Sequence, residues 1–216
     1  MHIQRDLRSA DLTTIIRSII ILIVAYLVII KFNLYFNIFL LIIAIVLDGV
    51  DGFLAIKEID NSFSFLSYIK AQVLNNKKEK EKIKKLKLLT KEKAKYGARL
   101  DVAGDRIIEY TIFSLFVYLH FIPLLFLLIS FFIHSFADAL MGSKGTSSKM
   151  KTKLASIFYT SNWSRALANL LKIASFSMLI FSYQTGLFYQ FTFALTTLLL
   201  IFIILRGSIE IFESIK

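Results

Sequence analysis

Four aspartates are the residues of this sequence whose type and spacing could do chemistry. Asp48 and Asp51 are three positions apart, Asp101 and Asp105 are four apart, and both pairs lie in or beside long apolar runs. A carboxylate at the centre of a bilayer costs about 2.5–3.5 kcal/mol on insertion scales, and membrane anchoring does not require one. Helical spacings of three and four place each pair on one face. Hard oxygen ligands without nearby His or Cys favour Mg²⁺ or Mn²⁺, so we expect the four carboxylates to bind a cation together.

The composition predicts that these aspartates are carried by membrane helices. Hydrophobic residues make up 56% of the chain, the mean hydropathy is +0.67 and there is one proline in 216 residues, a balance unlike that of an ordinary soluble domain. Apolar runs of roughly the 20 residues that a span needs occur at 13–30, 34–56, 100–119, 121–141, 163–183 and 187–206. We therefore predict an all-α polytopic membrane protein, with a single domain over residues 1–216 and six transmembrane helices.

The basic residues predict the orientation of these helices. The net charge is +11, yet the segments 31–33, 119–123 and 184–187 hold one basic residue, Lys31, while most of the rest lie near the termini and in 57–99 and 142–162. By the positive-inside tendency, we expect both termini and the two long loops to be cytoplasmic. We expect the membrane to be the plasma membrane. Because the charge falls between apolar runs, it does not predict nucleic-acid binding. The absence of cysteine excludes disulfides and thiolate metal ligands.

This topology brings the two aspartate pairs to a similar depth. The second helix would run inward and carry Asp48 and Asp51 near its cytoplasmic end, and the third would run outward and carry Asp101 and Asp105 in its first turns. Acidic residues in a first helical turn also interact favourably with the helix dipole, which is the simpler explanation for the second pair. It does not explain the first pair, because the dipole disfavours a carboxylate at a helix C-terminus. A shared site on the cytoplasmic side accounts for both pairs.

The residues around the aspartates resemble a known family signature. The sequence runs Asp48-Gly49-Val50-Asp51-Gly52-Phe53-Leu54-Ala55 and, later, Gly97-Ala98-Arg99-Leu100-Asp101-Val102-Ala103-Gly104-Asp105. These two runs are similar to the D-x-x-D-G-x-x-A-R and G-x-x-x-D-x-x-x-D halves of the CDP-alcohol phosphatidyltransferase signature. Thr14 to Arg17 is similar to the T-x-x-R of that family's first helix. The segment from Gly104 to Glu109, together with Arg165 and Lys172, resembles its phosphatidylglycerophosphate-synthase-like branch.

The resemblance implies a reaction and a set of roles. An acceptor hydroxyl would attack the lipid-bearing phosphate of a CDP-linked lipid, and CMP would leave; a two-metal Mg²⁺ or Mn²⁺ site would neutralise the diphosphate. The metal ligands would be Asp48, Asp51, Asp101 and Asp105, with Asp105 also accepting the proton of the hydroxyl. The residues near the nucleotide would be Asp48, Gly52, Ala55 and Gly97. The candidates for phosphate of the nucleotide or the acceptor are Arg17, Arg99, Arg165 and Lys172. The family also implies a homodimer.

The sequence departs from the signature in two places. Ile56 stands where the family has an arginine, so Lys57, Arg99 and Arg17 are the alternatives for its role. The spacer that follows has forty residues, 57 to 96, and we define its Lys-rich part, about 58–96, as the insertion. Within it, residues 76–95 hold ten lysines and three glutamates, with apolar residues at helical spacing. The insertion is either a solvated charged segment or a basic amphipathic segment that lies on anionic lipid.

A different class of function is also consistent with acidic residues in a membrane. An ion- or proton-coupled transporter would bind its coupling ion through such carboxylates, but near the bilayer midplane and with repeated broken helices, a pattern that this sequence lacks. We therefore expect the transferase. The acceptor alcohol stays open among glycerol 3-phosphate, inositol phosphate, serine and another lipid, with a phosphorylated acceptor favoured by the abundant Arg and Lys. The donor could be a diacyl or an ether lipid.

Overall fold

The described part of the computed structural model is helical. It comprises residues 9–58, 60–72, 81–83, 85–86, 97–144 and 162–215, and no strand occurs in these ranges. The helices are α1 (Ser9–Ile29), α2 (Leu34–Lys57), α3 (Phe65–Gln72), α4 (Gly97–Tyr118), α5 (Leu124–Lys144), α6 (Asn162–Thr185) and α7 (Tyr189–Ile215). The all-α prediction is confirmed, and each of the six predicted apolar runs coincides with one long helix.

Four of these helices are long and apolar enough to cross a membrane. They are α1, α2, the part of α6 from Trp163 to Thr185, and α7. The apolar part of α5 is shorter, Leu124–Leu140, and α4 has charged residues in its first half, among them Asp101 and Asp105. The chain therefore has the helices of a membrane protein. Spanning by α4 and α5, and the side on which the termini lie, stay predictions.

The polarity of the helix surfaces agrees with an apolar surrounding. On α1, Leu22 and Tyr26 are 57% and 63% exposed, whereas Thr14 is 4% and Arg17 is 0% exposed. In water this distribution would be unfavourable, because apolar side chains are driven inward. In lipid, the polar groups are the ones that must find partners inside the protein. The exposed apolar side chains are thus the expected lipid-facing surface.

Local sequence explains where several helices begin and end. Asn33 caps α2 through its side-chain oxygen, which accepts a hydrogen bond from the Phe36 amide at 3.1 Å, as residues before a helix commonly do. At the end of α1, Lys31 adopts a positive φ of 52°, and the Phe32 amide bonds to the Leu27 carbonyl at 2.9 Å. This is the left-handed termination that closes many helices. His120, with φ 53°, ends α4 in the same way.

The chain divides into two compact units. The first comprises residues 1–24 and 42–109, and the second comprises 25–41 and 110–216. In the first unit, the start of α1 is tied to the residue after α2, because the Ser9 amide donates to Glu58 Oε1 at 2.6 Å. The aspartates of interest all belong to this unit.

In the second unit, aromatic and small residues set the packing of α4 to α7. Phe113 and Phe176 meet edge to face with ring centroids 5.6 Å apart, a preferred geometry for aromatic pairs. Gly207 of α7 lies against α5, since a Cβ there would be 2.1 Å from Ile133 Cγ2. The Ser175 hydroxyl donates to the Leu195 carbonyl at 3.2 Å. A glycine contact and an interhelical hydrogen bond are typical of helices that pack in a membrane.

Candidate acidic site

Three of the four predicted aspartates converge on one arginine. Asp48 lies in the second half of α2, nine residues before its end, while Asp101 and Asp105 lie one turn apart at the start of α4, as their spacing predicts. Arg17 lies on α1, within the first unit, and its side chain reaches all three carboxylates. We call these four side chains the acidic site.

The guanidinium of Arg17 makes hydrogen bonds from both terminal nitrogens. Nη1 donates to Asp48 Oδ1 and to Asp105 Oδ1 at 3.0 Å. Nη2 donates to Asp101 Oδ1 at 3.2 Å and to the Asp101 carbonyl at 3.1 Å. Such charge-assisted bonds are about twice as strong as neutral ones. They fix the guanidinium between α2 and α4.

Exposure differs across the acidic site. The side chain of Arg17 is 0% exposed, whereas those of Asp48, Asp101 and Asp105 are 23%, 55% and 40% exposed. A buried arginine cannot lose its charge, so it requires partners that compensate for the loss of water. Three carboxylates and one guanidinium leave a formal charge of −2. The acidic site is therefore negative, enclosed on the arginine side and accessible on the carboxylate side.

Gly104 allows the arginine to lie this close to α4. A Cβ at this position would be 2.8 Å from Arg17 Nη2 and 2.6 Å from Thr14 Cγ2. Real Cβ atoms do not approach other atoms so closely, so α1 and α4 can meet here only because residue 104 has no side chain. Gly104 is thus a supporting residue of the acidic site that the sequence analysis did not assign. An interior glycine beside a charged residue was the available signal.

Ile56, at the position of the missing arginine, lies in an apolar cluster with residues of the insertion. We call Phe53, Ile56, Phe63 and Ile83 the insertion cluster; their exposures are 9%, 0%, 3% and 6%. Leu86 packs against its edge. The apolar side of the described part of the insertion therefore faces α2. The apolar residues at helical spacing in the insertion are Ile83, Leu86 and Leu89. Ile83 and Leu86 face the protein, and Leu89 lies outside the described residues.

Helix α3, also part of the insertion, contacts α2 at a glycine of the signature. A Cβ on Gly52 would lie 2.5 Å from the hydroxyl oxygen of Tyr68. The Tyr68 ring also packs against Phe53, with centroids 5.9 Å apart. Gly52 was predicted from the resemblance to let a nucleotide approach. In this structure it accommodates Tyr68, a contact that the sequence did not reveal because it depends on how α3 folds back.

An ion pair joins Asp60, near the start of the insertion, to Lys82 further along it. Lys82 Nζ lies 3.2 Å from Asp60 Oδ2 and 5.2 Å from the centre of the Phe63 ring. The Ser62 hydroxyl and amide both donate to Asp60 Oδ1. The hydrogen bond from the Ser62 hydroxyl, followed by that from Lys82, holds the pKa of Asp60 below its ordinary value. Lys82 of the insertion thus has a partner within the protein.

The remaining predicted residues are not assembled with the acidic site by any described contact. The side chains of Asp51 and Arg99 lie outside the described part of the chain. Arg165 is exposed and Lys172 half-buried on α6, in the second unit. The other two lie on helices of the first unit: half-buried Ala55 on α2, and Gly97, the first residue of α4. The roles of all six stay predictions.

The donor set of the acidic site suits a divalent metal, although its carboxylates are arranged around an arginine. Among the described residues, no group of three or more His, Asp or Glu side chains is placed so that it could hold a metal ion. The side chain of the fourth predicted ligand, Asp51, lies outside the described part of the chain. Comparisons with protein-family models, curated proteins and solved structures find no match to this chain.

Proposed function

We propose that the protein is a CDP-alcohol phosphatidyltransferase of the plasma membrane, with its active site on the cytoplasmic side. The observation that carries the proposal is the convergence of Asp48, Asp101 and Asp105 on one position. These are three of the four aspartates of the signature, and they come from two helices that are separated by thirty-nine residues, 58–96. In support, four helices can cross a membrane. Six spans, both termini in the cytoplasm and a homodimer belong to the same proposal.

The donor chemistry of the carboxylates suits Mg²⁺ or Mn²⁺. Three carboxylates already gather around one cationic group, and their oxygens are the hard donors that these ions prefer. Asp48, Asp101 and Asp105, joined by Asp51, would hold the two ions. Bound there, the metals would neutralise the diphosphate of the CDP-linked lipid and stabilise the leaving CMP.

The protein side chains would supply positioning and proton transfer. Asp105 is 40% exposed, so an acceptor alcohol can reach its carboxylate. The acceptor oxygen would form a bond to the lipid-bearing phosphorus, the bond to the bridging oxygen would break, and CMP would take that oxygen. The hydroxyl proton would pass to Asp105. A phosphorylated acceptor, such as glycerol 3-phosphate or inositol phosphate, would use the basic side chains predicted above, with Arg165 and Lys172 among them.

The test is release of CMP by the purified protein in liposomes. The reaction would contain CDP-diacylglycerol or its ether equivalent, Mg²⁺ or Mn²⁺, and one acceptor at a time from glycerol 3-phosphate, inositol phosphate and serine. We expect metal-dependent release with one acceptor. Asp105→Asn should abolish it, whereas Asp60→Asn, which changes a carboxylate outside the acidic site, should not.

The outcome separates the two classes of function. Release that survives Asp105→Asn would contradict the assignment of the proton acceptor. No release with any donor and acceptor, from folded protein, would contradict the transferase. In that case, cation-dependent flux across the same liposomes would favour the transporter.

A further inference from the structure

Helix α3 leaves two large apolar side chains uncovered. Phe65 and Leu66 are 47% and 69% exposed, and among the described residues of the insertion they are the large apolar side chains that stay exposed. The apolar residues of the Lys-rich part behave differently, because Ile83 is enclosed by the insertion cluster and Leu86 packs against its edge. Exposure of two such side chains to water would be unfavourable. The apolar surface of the insertion that still lacks a partner therefore lies on α3.

The contacts with α2 fix the depth of α3. Gly52 lies five residues before the end of α2 at Lys57, which corresponds to about 7.5 Å along the helix axis. The Tyr68 hydroxyl lies against this glycine, and the Phe65 ring packs edge to face on Phe53 with centroids 5.2 Å apart. Helix α3 thus lies beside the last turns of a helix that is long and apolar enough to cross a membrane. Interfacial helices lie at this depth, with the apolar face about 5–10 Å into the boundary between headgroups and acyl chains.

The charge of the insertion indicates which lipid surface α3 meets. Residues 57–96 hold twelve lysines and five acidic residues. Lys57, Lys82 and Lys85 are exposed, and the Lys82 side chain keeps 52% exposure although it pairs with Asp60. Each lysine near an anionic leaflet contributes about 1 kcal/mol of attraction. An excess of lysine close to uncovered apolar side chains is typical of segments that bind an anionic membrane surface.

We infer that α3 attaches the insertion to an anionic membrane surface. Phe65 and Leu66 contact acyl chains at the boundary, and the lysines of the insertion contact anionic headgroups of the same leaflet. This attachment does not depend on the proposed transferase, since it involves neither the acidic site nor a substrate. It also changes which residues of the insertion meet lipid, because Ile83 and Leu86 pack against the protein.

The experiment uses the absence of cysteine from the chain, since one introduced cysteine takes a nitroxide label at a single position. Full-length Leu66→Cys is reconstituted in liposomes of phosphatidylcholine, with or without phosphatidylglycerol in both leaflets. Power saturation in electron paramagnetic resonance then measures how accessible the label is to oxygen, which concentrates among acyl chains, and to a water-soluble nickel chelate. The aqueous control is Asn61→Cys, exposed shortly before α3. The lipid control is Leu22→Cys, 57% exposed on α1.

In liposomes with phosphatidylglycerol, we expect the ratio of oxygen to nickel accessibility to be several-fold higher at position 66 than at position 61, and to approach that at position 22. The ratio at position 66 should fall in pure phosphatidylcholine. Salt at about 1 M, where the Debye length is about 3 Å, should remove most of the difference between the two lipid compositions. A ratio at position 66 equal to that at position 61 would place α3 in water and overturn the inference.

Two other results would also overturn it. Low accessibility to both reagents would mean that protein, such as a second copy of the chain, covers position 66 in place of lipid. A high ratio that is the same with and without phosphatidylglycerol would mean that the lysines do not attract the insertion to the surface. If Leu66→Cys does not fold, the same measurements on Phe65→Cys decide.

Discussion

Restoring the signature arginine by Ile56→Arg should destabilise the protein. The Ile56 side chain is 0% exposed and packs with Phe63 and Ile83 of the insertion. Loss of the buried isoleucine contacts alone is of the size measured for truncations in cores, about 2–5 kcal/mol. Burial of an unpaired guanidinium adds to this unless the side chain extends to water and pushes the insertion cluster apart. We therefore expect at least about 3 kcal/mol.

The expected loss is measurable by heating. Roughly 2–4 °C per kcal/mol, the scale for chains of this length, gives a fall of about 6–12 °C in melting temperature. The assay is the fraction of detergent-solubilised protein that stays monodisperse in size-exclusion chromatography after heating. The control is Lys57→Arg at the next position, which is exposed; as a surface change it should alter stability by less than about 0.5 kcal/mol.

One result would refute this reasoning. If Ile56→Arg is as stable as Lys57→Arg and releases CMP faster than the wild type, then the insertion does not enclose position 56. The absent arginine would then be an ordinary loss of a phosphate-binding group. If instead the variant is unstable, the isoleucine belongs to the packing of this protein, and phosphate binding must depend on other basic residues.

Two further perturbations test the supports of the site and of the insertion. Gly104→Ala should lower the melting temperature, because its Cβ would be 2.6 Å and 2.8 Å from atoms of α1. The control Gly49→Ala, where a Cβ would have nothing within 4 Å, should raise stability by up to about 1 kcal/mol. Equal effects of the two substitutions would contradict the close approach of α1 to Gly104. Folding lowers the pKa of Asp60. The ionised Asp60 side chain therefore stabilises the folded protein above its ordinary pKa of about 3.9, and this stabilisation is lost as the pH falls through the lowered pKa of the folded protein. The stability difference between wild type and Asp60→Asn should therefore shrink between about pH 5 and pH 3, and a constant difference would contradict the pairing.

The long helices were predictable because each depends on local composition. A run of apolar residues long enough to span, bounded by polar residues, specifies a membrane helix by itself. The sharing of one face by Asp101 and Asp105 follows from their spacing in the same way. That the aspartates of α2 and α4 would lie close together was also predicted, from the direction that the charge of the loops suggests for each helix.

The partners of those helices were not predictable in this way. Arg17 is 31 residues from Asp48 and 88 from Asp105, so their contact depends on packing that no local pattern specifies. The sequence analysis placed Arg17 in the first helix and, through the resemblance, gave phosphate as its partner, a role that stays a prediction. Ile83 shows the same limit: its spacing predicted an apolar face, but whether that face meets lipid or protein depends on which surface lies beside it.

The two departures from the signature, the longer spacer and the isoleucine at position 56, contact each other in the structure. The longer spacer brings Phe63 and Ile83 against α2, and the side chain that they enclose is the one at position 56. An arginine there would have to leave water, whereas an isoleucine completes an apolar cluster. The insertion and the replacement therefore stabilise each other. If the protein is a transferase, the positive charge that the family places after the alanine comes from another residue, with Lys57, Arg99 and Arg17 as the candidates, and Arg17 already contacts the carboxylates.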